Sequence, residues 1–193
     1  MTADGPVLVT PRARRTRDRL VSHALDLFER QGYDATTTAQ IADAAGVTQM
    51  TLFRHFPTKD ALLVSDPYDP LIAEAVGAQP ADLPPVERVR RGMLAALRDV
   101  APTEDTTAQR RVALVARTPR LRAAAVGATA ATERAVADRL VADGVPRFDA
   151  TVAAAACLGA CTAALLAPAD PATTVADTVA RALRLLAPGD DDA

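Results

Sequence analysis

Apolar residues fall at Leu20, Ala24, Leu27 and Phe28, the i, i+4, i+7, i+8 spacing of a single helix face, and the run that carries them ends near Gly32. Thr36-Thr37-Thr38 then supplies caps for a short helix, AQIADAA, which stops at Gly46. Thr48 can cap a third helix, in which Leu52 and Phe56, four residues apart, share the inner side. Pro57 ends that helix, and Pro57-Thr58-Lys59-Asp60 opens the next, which Pro67 and Pro70 should kink or break. Farther on, Val86, Val89, Met93, Leu97 and Val100 make one stripe. A short segment is expected near 106–117, a long one from about 119 to 143, and two more over 149–167 and 171–187. No run alternates with a period of two. The pattern predicts an all-α chain: residues 1–11 disordered, a three-helix head over 12–57 with a helix-turn-helix, a larger helical body over 58–187, and an acidic tail over 188–193.

Composition agrees. The chain is 49% hydrophobic but only 3% aromatic, so Ala and Leu carry the apolar load, which favours helices over sheets. The net charge of −2 does not point to nucleic acid, but its distribution does. Five arginines fall within residues 12–19, among them Arg12, Arg14 and Arg15; residues 87–122 carry +5 and residues 138–193 carry −4. Lys59 is the only lysine. Two cysteines make no disulfide framework and the start lacks the apolar core of a signal peptide, so the expected compartment is the cytoplasm. The uncharged run 150–169 is long enough to span a membrane, but it is mostly Ala, with Asp149 and Asp170 at its ends. A packed interior or interface helix is the better reading, and no membrane partner is expected.

The segment GVTQMTLFRHF, residues 46–56, carries the chemistry. Its outward side chains hydrogen-bond with almost no net charge, unlike the Glu and Lys pairs of an ordinary surface helix. A short helix, a glycine turn and a second short helix can lay that second helix in the DNA major groove. Gln49 and Thr51 can bond base edges, Met50 and Thr51 can touch thymine methyls, and Arg54 and His55 suit phosphate or base contact. Lys59, in the first turn of the next helix, could hold a phosphate. Leu52, Phe56, Phe28 and Ile41 are core.

These residues resemble the DNA-binding head of the TetR family of bacterial transcriptional regulators. The matching stretch, LFERQGYDATTTAQIADAAGVTQMTLFRHFPTKDALL, shows Gly-Tyr, Thr-Thr, Ile-Ala, Ala-Gly-Val, Thr-Leu-aromatic-x-His-Phe and a following Lys in order. The resemblance implies DNA contacts by Thr37, Thr38, Gln49, Met50, Thr51, Phe53, His55 and Lys59. Phe53 stands where the family usually has Tyr, which removes one phosphate hydrogen bond.

The resemblance also implies that the last two helices pair with those of a second copy and that the body holds an effector. Small residues at Ala153, Ala156, Gly159, Ala160, Ala163 and Ala164 permit close helix approach, Cys157 is placed in the same interface, and Val175, Val179, Ala182 and Leu186 form the apolar face of the last helix. For the effector, Met93, Leu97, Leu114, Leu121 and Val126 offer an apolar lining, with Arg110 and Arg117 among several arginines beside it. That combination suits a molecule with apolar and anionic parts, and the body resembles the subgroup with an acyl-CoA-like ligand domain. Equally, the arginines can be a solvated face. Cys157 and Cys161, at i, i+4, can be a thiol pair or plain buried residues; no further Cys or His completes a metal site, so no metal and no cofactor is expected.

The function expected is therefore a homodimeric, ligand-responsive regulator, a repressor that small-molecule binding releases from double-stranded operator DNA. One rival is a DNA-binding protein with no effector. Another is an enzyme acting on acyl thioesters, against which stand the lack of a histidine in the body and of a glycine-rich phosphate loop. No catalytic residue is assigned.

Overall fold

A computed structural model describes residues 11–65, 69–98, 102–167 and 173–187. Among these every regular element is a helix, and the chain divides into two compact units, Met1–Ser65 and Asp66–Ala193.

The first unit holds α1 (Pro11–Gln31), α2 (Thr38–Ala44), α3 (Gln49–His55) and a single turn, α4 (Ala61–Val64). Its core holds the predicted apolar face of α1, with Leu20, Ala24, Leu27 and Phe28 all buried, and Leu25, Ile41, Leu52 and Phe56 are buried with them. Each short helix starts on a threonine. Thr37 caps α2 in a reciprocal box with Gln40, and Thr48 accepts from the Thr51 amide at the start of α3. Gly32 and Gly46 end α1 and α2 with φ of 88° and 64°, the left-handed geometry that favours glycine.

Three expectations change here. Pro11 belongs to α1 rather than to a disordered arm; residues 1–10 lie outside the described residues. The head continues past Pro57 to Ser65, because Ala61, Leu62 and Leu63 of α4 are buried, so it has four helices rather than three. Lys59 is not in the first turn of a helix: α4 begins two residues later, and Thr58 Oγ1 accepts from the Ala61 amide.

The second unit holds α5 (Asp69–Gly77), α6 (Pro85–Leu97), α7 (Pro102–Arg117), α8 (Pro119–Ala142), α9 (Arg147–Leu166) and α10 (Val175–Arg184). Pro70 is tolerated in the first turn of α5, where no intrahelical amide bond is lost; Pro67 and Val100 lie outside the described residues. The core joins Val76 of α5, Val89 and Met93 of α6, Val136 and Leu140 of α8, Ala150, Ala154, Cys157 and Leu158 of α9, and Val179 and Leu183 of α10. Helices α5 and α6 meet closely at Gly92, where an added Cβ would lie 2.6 Å from the Val76 Cα. Arg88 is buried across the same corner. It donates to the Val76 and Gly77 carbonyls and pairs with Asp143 at the end of α8, while its remaining nitrogen Nη1 is buried with no partner.

Candidate nucleic-acid interface

Helix α3 is divided between inside and outside. Leu52 and the C-cap Phe56 are fully buried, while Gln49, Met50, Phe53 and Arg54 project into solvent, with Met50 79% and Phe53 43% exposed. An unbranched apolar side chain presented in this way has a shape and chemistry that suit a thymine methyl in a groove. The Thr51 hydroxyl lies 3.0 Å from that of Thr48, so the cap of α3 and its third residue are joined.

Some expected contact residues are occupied elsewhere. The Thr37 hydroxyl accepts from the Gln40 amide at 3.2 Å, and Thr38 is the first residue of α2. Lys59 Nζ donates to the carbonyls of Tyr33 and Thr36, both at 2.9 Å, and lies 4.2 Å from the Tyr33 ring centre. Tyr33 Oη in turn donates to Asp60. The only lysine of the chain thus stitches the loop before α2 to the turn before α4.

The arginines of α1 also divide. Arg12, Arg14 and Arg15 are exposed near the helix start. Arg19 donates to the carbonyl of Ala45, the C-cap of α2, at 2.6 Å, and Arg17 donates to the carbonyl of His55, the last residue of α3, while its guanidinium lies 4.3 Å from the Phe56 ring centre. Both place positive charge where helix dipoles end negative. These partners lie 26 and 38 residues away in sequence, and no local pattern announces them. His55 is half-buried; burial first, then Arg54 and Arg17, pull its pKa below the usual value, so at neutral pH it offers a hydrogen bond but no charge.

In the body, the expected residues differ in burial. Met93 is buried in the core and Leu97 packs against it. Leu114 and Leu121 are buried, Arg110 is half-buried and Arg117 exposed. Val126 is 62% exposed and lines an open groove of about 530 Å³ between α8 and α9, together with Arg122, Thr129, Glu133, Gly159 and Ala163. None of the other expected pocket residues lines that groove.

The expected pairing face needs correction too. Ala153, Cys157, Val179 and Ala182 are buried inside their own chain, so no second copy can reach them; Ala156, Gly159 and Ala163 are exposed, and Ala160, Ala164, Val175 and Leu186 are half-buried. Burial also pushes the thiols of Cys157 and Cys161 up to about 11 and about 12, which removes their reactivity near neutral pH. Among the described residues no group of metal-binding side chains occurs. Helix α9 is long and apolar enough to cross a membrane by length and composition alone, but one of its faces is built into the core of the unit.

A helix-turn-helix with an outward-facing second helix, joined to an all-helical body, defines the class of helix-turn-helix regulators. Residues 20–65 match the family of bacterial regulatory proteins called tetR, and residues 83–191 match the MftR C-terminal domain. The chain belongs to the TetR family. The HTH-type transcriptional regulator TcmR of Streptomyces glaucescens is 40% identical over 103 residues, which make up 51% of this chain and 46% of TcmR. The chain spans about half the length of TcmR and less of the other curated relatives it matches. These relatives are named as transcriptional regulators, not as enzymes. Among solved structures, native NalD, the secondary repressor of the MexAB-OprM multidrug efflux pump in Pseudomonas aeruginosa, is 24% identical with a TM-score of 0.52, covering 90% of this chain and 94% of its own; that likeness is one of fold. FadR of Thermus thermophilus, a TetR-family repressor solved with lauroyl-CoA, is 25% identical with a TM-score of 0.47, covering 88% of this chain and 92% of its own.

Proposed function

We propose that this chain acts as a homodimeric repressor that binds duplex operator DNA through α3 and leaves it when a small molecule with apolar and anionic parts enters the body. The observation that carries the DNA half is the split surface of α3, with Leu52 fixed in the core and Gln49, Met50, Phe53 and Arg54 presented outward. Arg12, Arg14 and Arg15 supply charge for phosphates, Thr37 and Thr38 lie at the start of α2, and Gln49, Met50 and Thr51 read bases. His55 bonds a phosphate or base. Lys59 supports the site from behind. Two copies are needed because operator half-sites lie about 34–36 Å apart, one duplex turn. The effector half rests on the family resemblance, on the buried apolar residues Met93, Leu114 and Leu121 and on the arginines carried by α7; an acyl-CoA is the first molecule to try. Such a regulator works in the cytoplasm, with its DNA.

Fluorescence anisotropy on the DNA upstream of its own gene, with and without long-chain acyl-CoA, tests this reading. Expected is sequence-dependent binding that weakens with salt and is lost on adding acyl-CoA. Equal binding to random duplex would refute operator recognition. Indifference to acyl-CoA would refute that effector class and leave the DNA-binding reading intact.

A further inference from the structure

Arg17 continues the buried stripe of α1. It precedes Leu20, Ala24 and Phe28 by three, seven and eleven residues, the spacing of one helix face, and it is half-buried there, whereas Arg12, Arg14 and Arg15 are exposed. Its guanidinium lies 4.3 Å from the centre of the fully buried Phe56 ring, and its Nη1 donates to the His55 carbonyl at 3.3 Å. That carbonyl belongs to the last turn of α3, where backbone acceptors have no partner within the helix. Arg19 serves α2 in the same way, donating from Nη2 to the carbonyl of Ala45, its C-cap, at 2.6 Å. Such holds matter because α3 has only seven residues, and a helix that short does not persist by itself. Leu52 and Phe56 anchor its inner side along a single line, and the bonds of Thr48 at its start stay within the turn. The far end of α3 is tied to another element through Arg17.

We infer that Arg17 and Arg19 are positioning residues for sequence reading: Arg17 sets the roll of α3 about its own axis, Arg19 fixes the helix before it, and both spend their charge on protein carbonyls rather than on phosphates. This rests on the DNA-binding reading above and adds what orients the reading helix. The geometry decides which kind of contact suffers when the hold is lost. Side-chain atoms of a helix lie about 5–6 Å from its axis, so a roll of about 10° moves them by about 1 Å. N–H···O bonds are made over a range of only about 0.5 Å, so base-edge contacts from Gln49 and Thr51 would be broken by that movement. Attraction to a phosphate falls only as the inverse of distance and hardly registers it. Loosening α3 therefore costs discrimination between sequences before it costs affinity for duplex in general.

The test uses the full chain and a duplex pool with a randomised centre. The duplex that the parent chain selects is compared with the same duplex scrambled at the selected positions. Fluorescence anisotropy then gives each variant's affinity for both duplexes and the salt slope of each, at a temperature where its helical circular dichroism equals the parent's. Arg17→Met should lower the ratio of the two affinities about tenfold, the order of one base contact, with scrambled-duplex binding and salt slope as in the parent. Arg17→Gln, neutral but still an amide donor, should fall between the two in ratio with the same slope, and it carries the test if the Met variant does not fold. Arg19→Met should shift the ratio in the same direction. The exposed Arg15 is the comparator: Arg15→Met should weaken both duplexes alike and reduce the slope by about 1. Either neutral Arg17 variant behaving as Arg15→Met, or keeping the parent's ratio, overturns the positioning role while the DNA reading stands. A parent chain that enriches no sequence overturns both.

Discussion

Replacing Lys59 with Met separates its two possible jobs. The substitution keeps most of the apolar stem over Tyr33 and deletes the ammonium that serves the Tyr33 and Thr36 carbonyls at 2.9 Å. Hydrogen bonds from a charged donor contribute about 1.5–3 kcal/mol each, and a cation over an aromatic ring about 0.5–1 kcal/mol near the surface. Lys59 is only half-buried and water can partly replace it, so the expected loss is about 2–3 kcal/mol for the head. In a unit of this size that lowers Tm by on the order of 10 °C, readable by thermal circular dichroism. The second assay is the salt dependence of binding to any duplex, measured at a temperature where the variant is folded. A lost phosphate contact reduces the slope of log K against log salt by about 1, whereas a lost internal stitch leaves it unchanged. We expect the stability loss with an unchanged slope. An unchanged Tm with a slope smaller by about one would refute the structural role and return Lys59 to the DNA.

Other consequences can be checked more briefly. Gly92→Ala drives a Cβ to 2.6 Å from the Val76 Cα and 2.7 Å from its amide nitrogen, so α5 and α6 must separate; a loss of about 1–3 kcal/mol in urea unfolding is expected, and a neutral result would show that the contact is loose. Cys157 and Cys161 should ignore a thiol reagent at pH 8 in the native chain and react together once urea is added; rapid native labelling would contradict their burial. Glu87 is held down to about 2, first by its hydrogen bond from Arg90, against burial and with help from Arg91. A depressed carboxyl gives stability that is present above its unfolded pKa and disappears as pH falls through the folded one. Glu87→Gln should therefore flatten the fall of Tm between about pH 4.5 and 2, and an unaltered pH profile would count against the pair.

The head was legible because its helices obey local rules: a four-residue spacing in α3, a threonine at each short N-terminus and glycine at two C-termini. Long-range stitches escaped, since nothing near Arg17, Arg19 or Lys59 says that a carbonyl 23 to 38 residues away will take the donor. A charged residue beside a DNA-reading helix therefore reads as a phosphate ligand even where it closes a helix end.

Helix α9 shows a different limit. Its alanines make every face apolar, so periodicity cannot distinguish the side packed on α6, α8 and α10 from the side left open. Ala153 and Ala156 look equivalent in the sequence, yet one is buried and the other exposed. Small residues on the inner face let helices of one chain approach, while Gly159 and Ala163 on the outer face line the open groove beside α8. Phe148 and Val152 are large and stand exposed on the outer face, whereas Leu158 of the same helix is buried. An alanine-rich helix therefore announces that it is packed, while the face that packs is settled only by its neighbours in the fold.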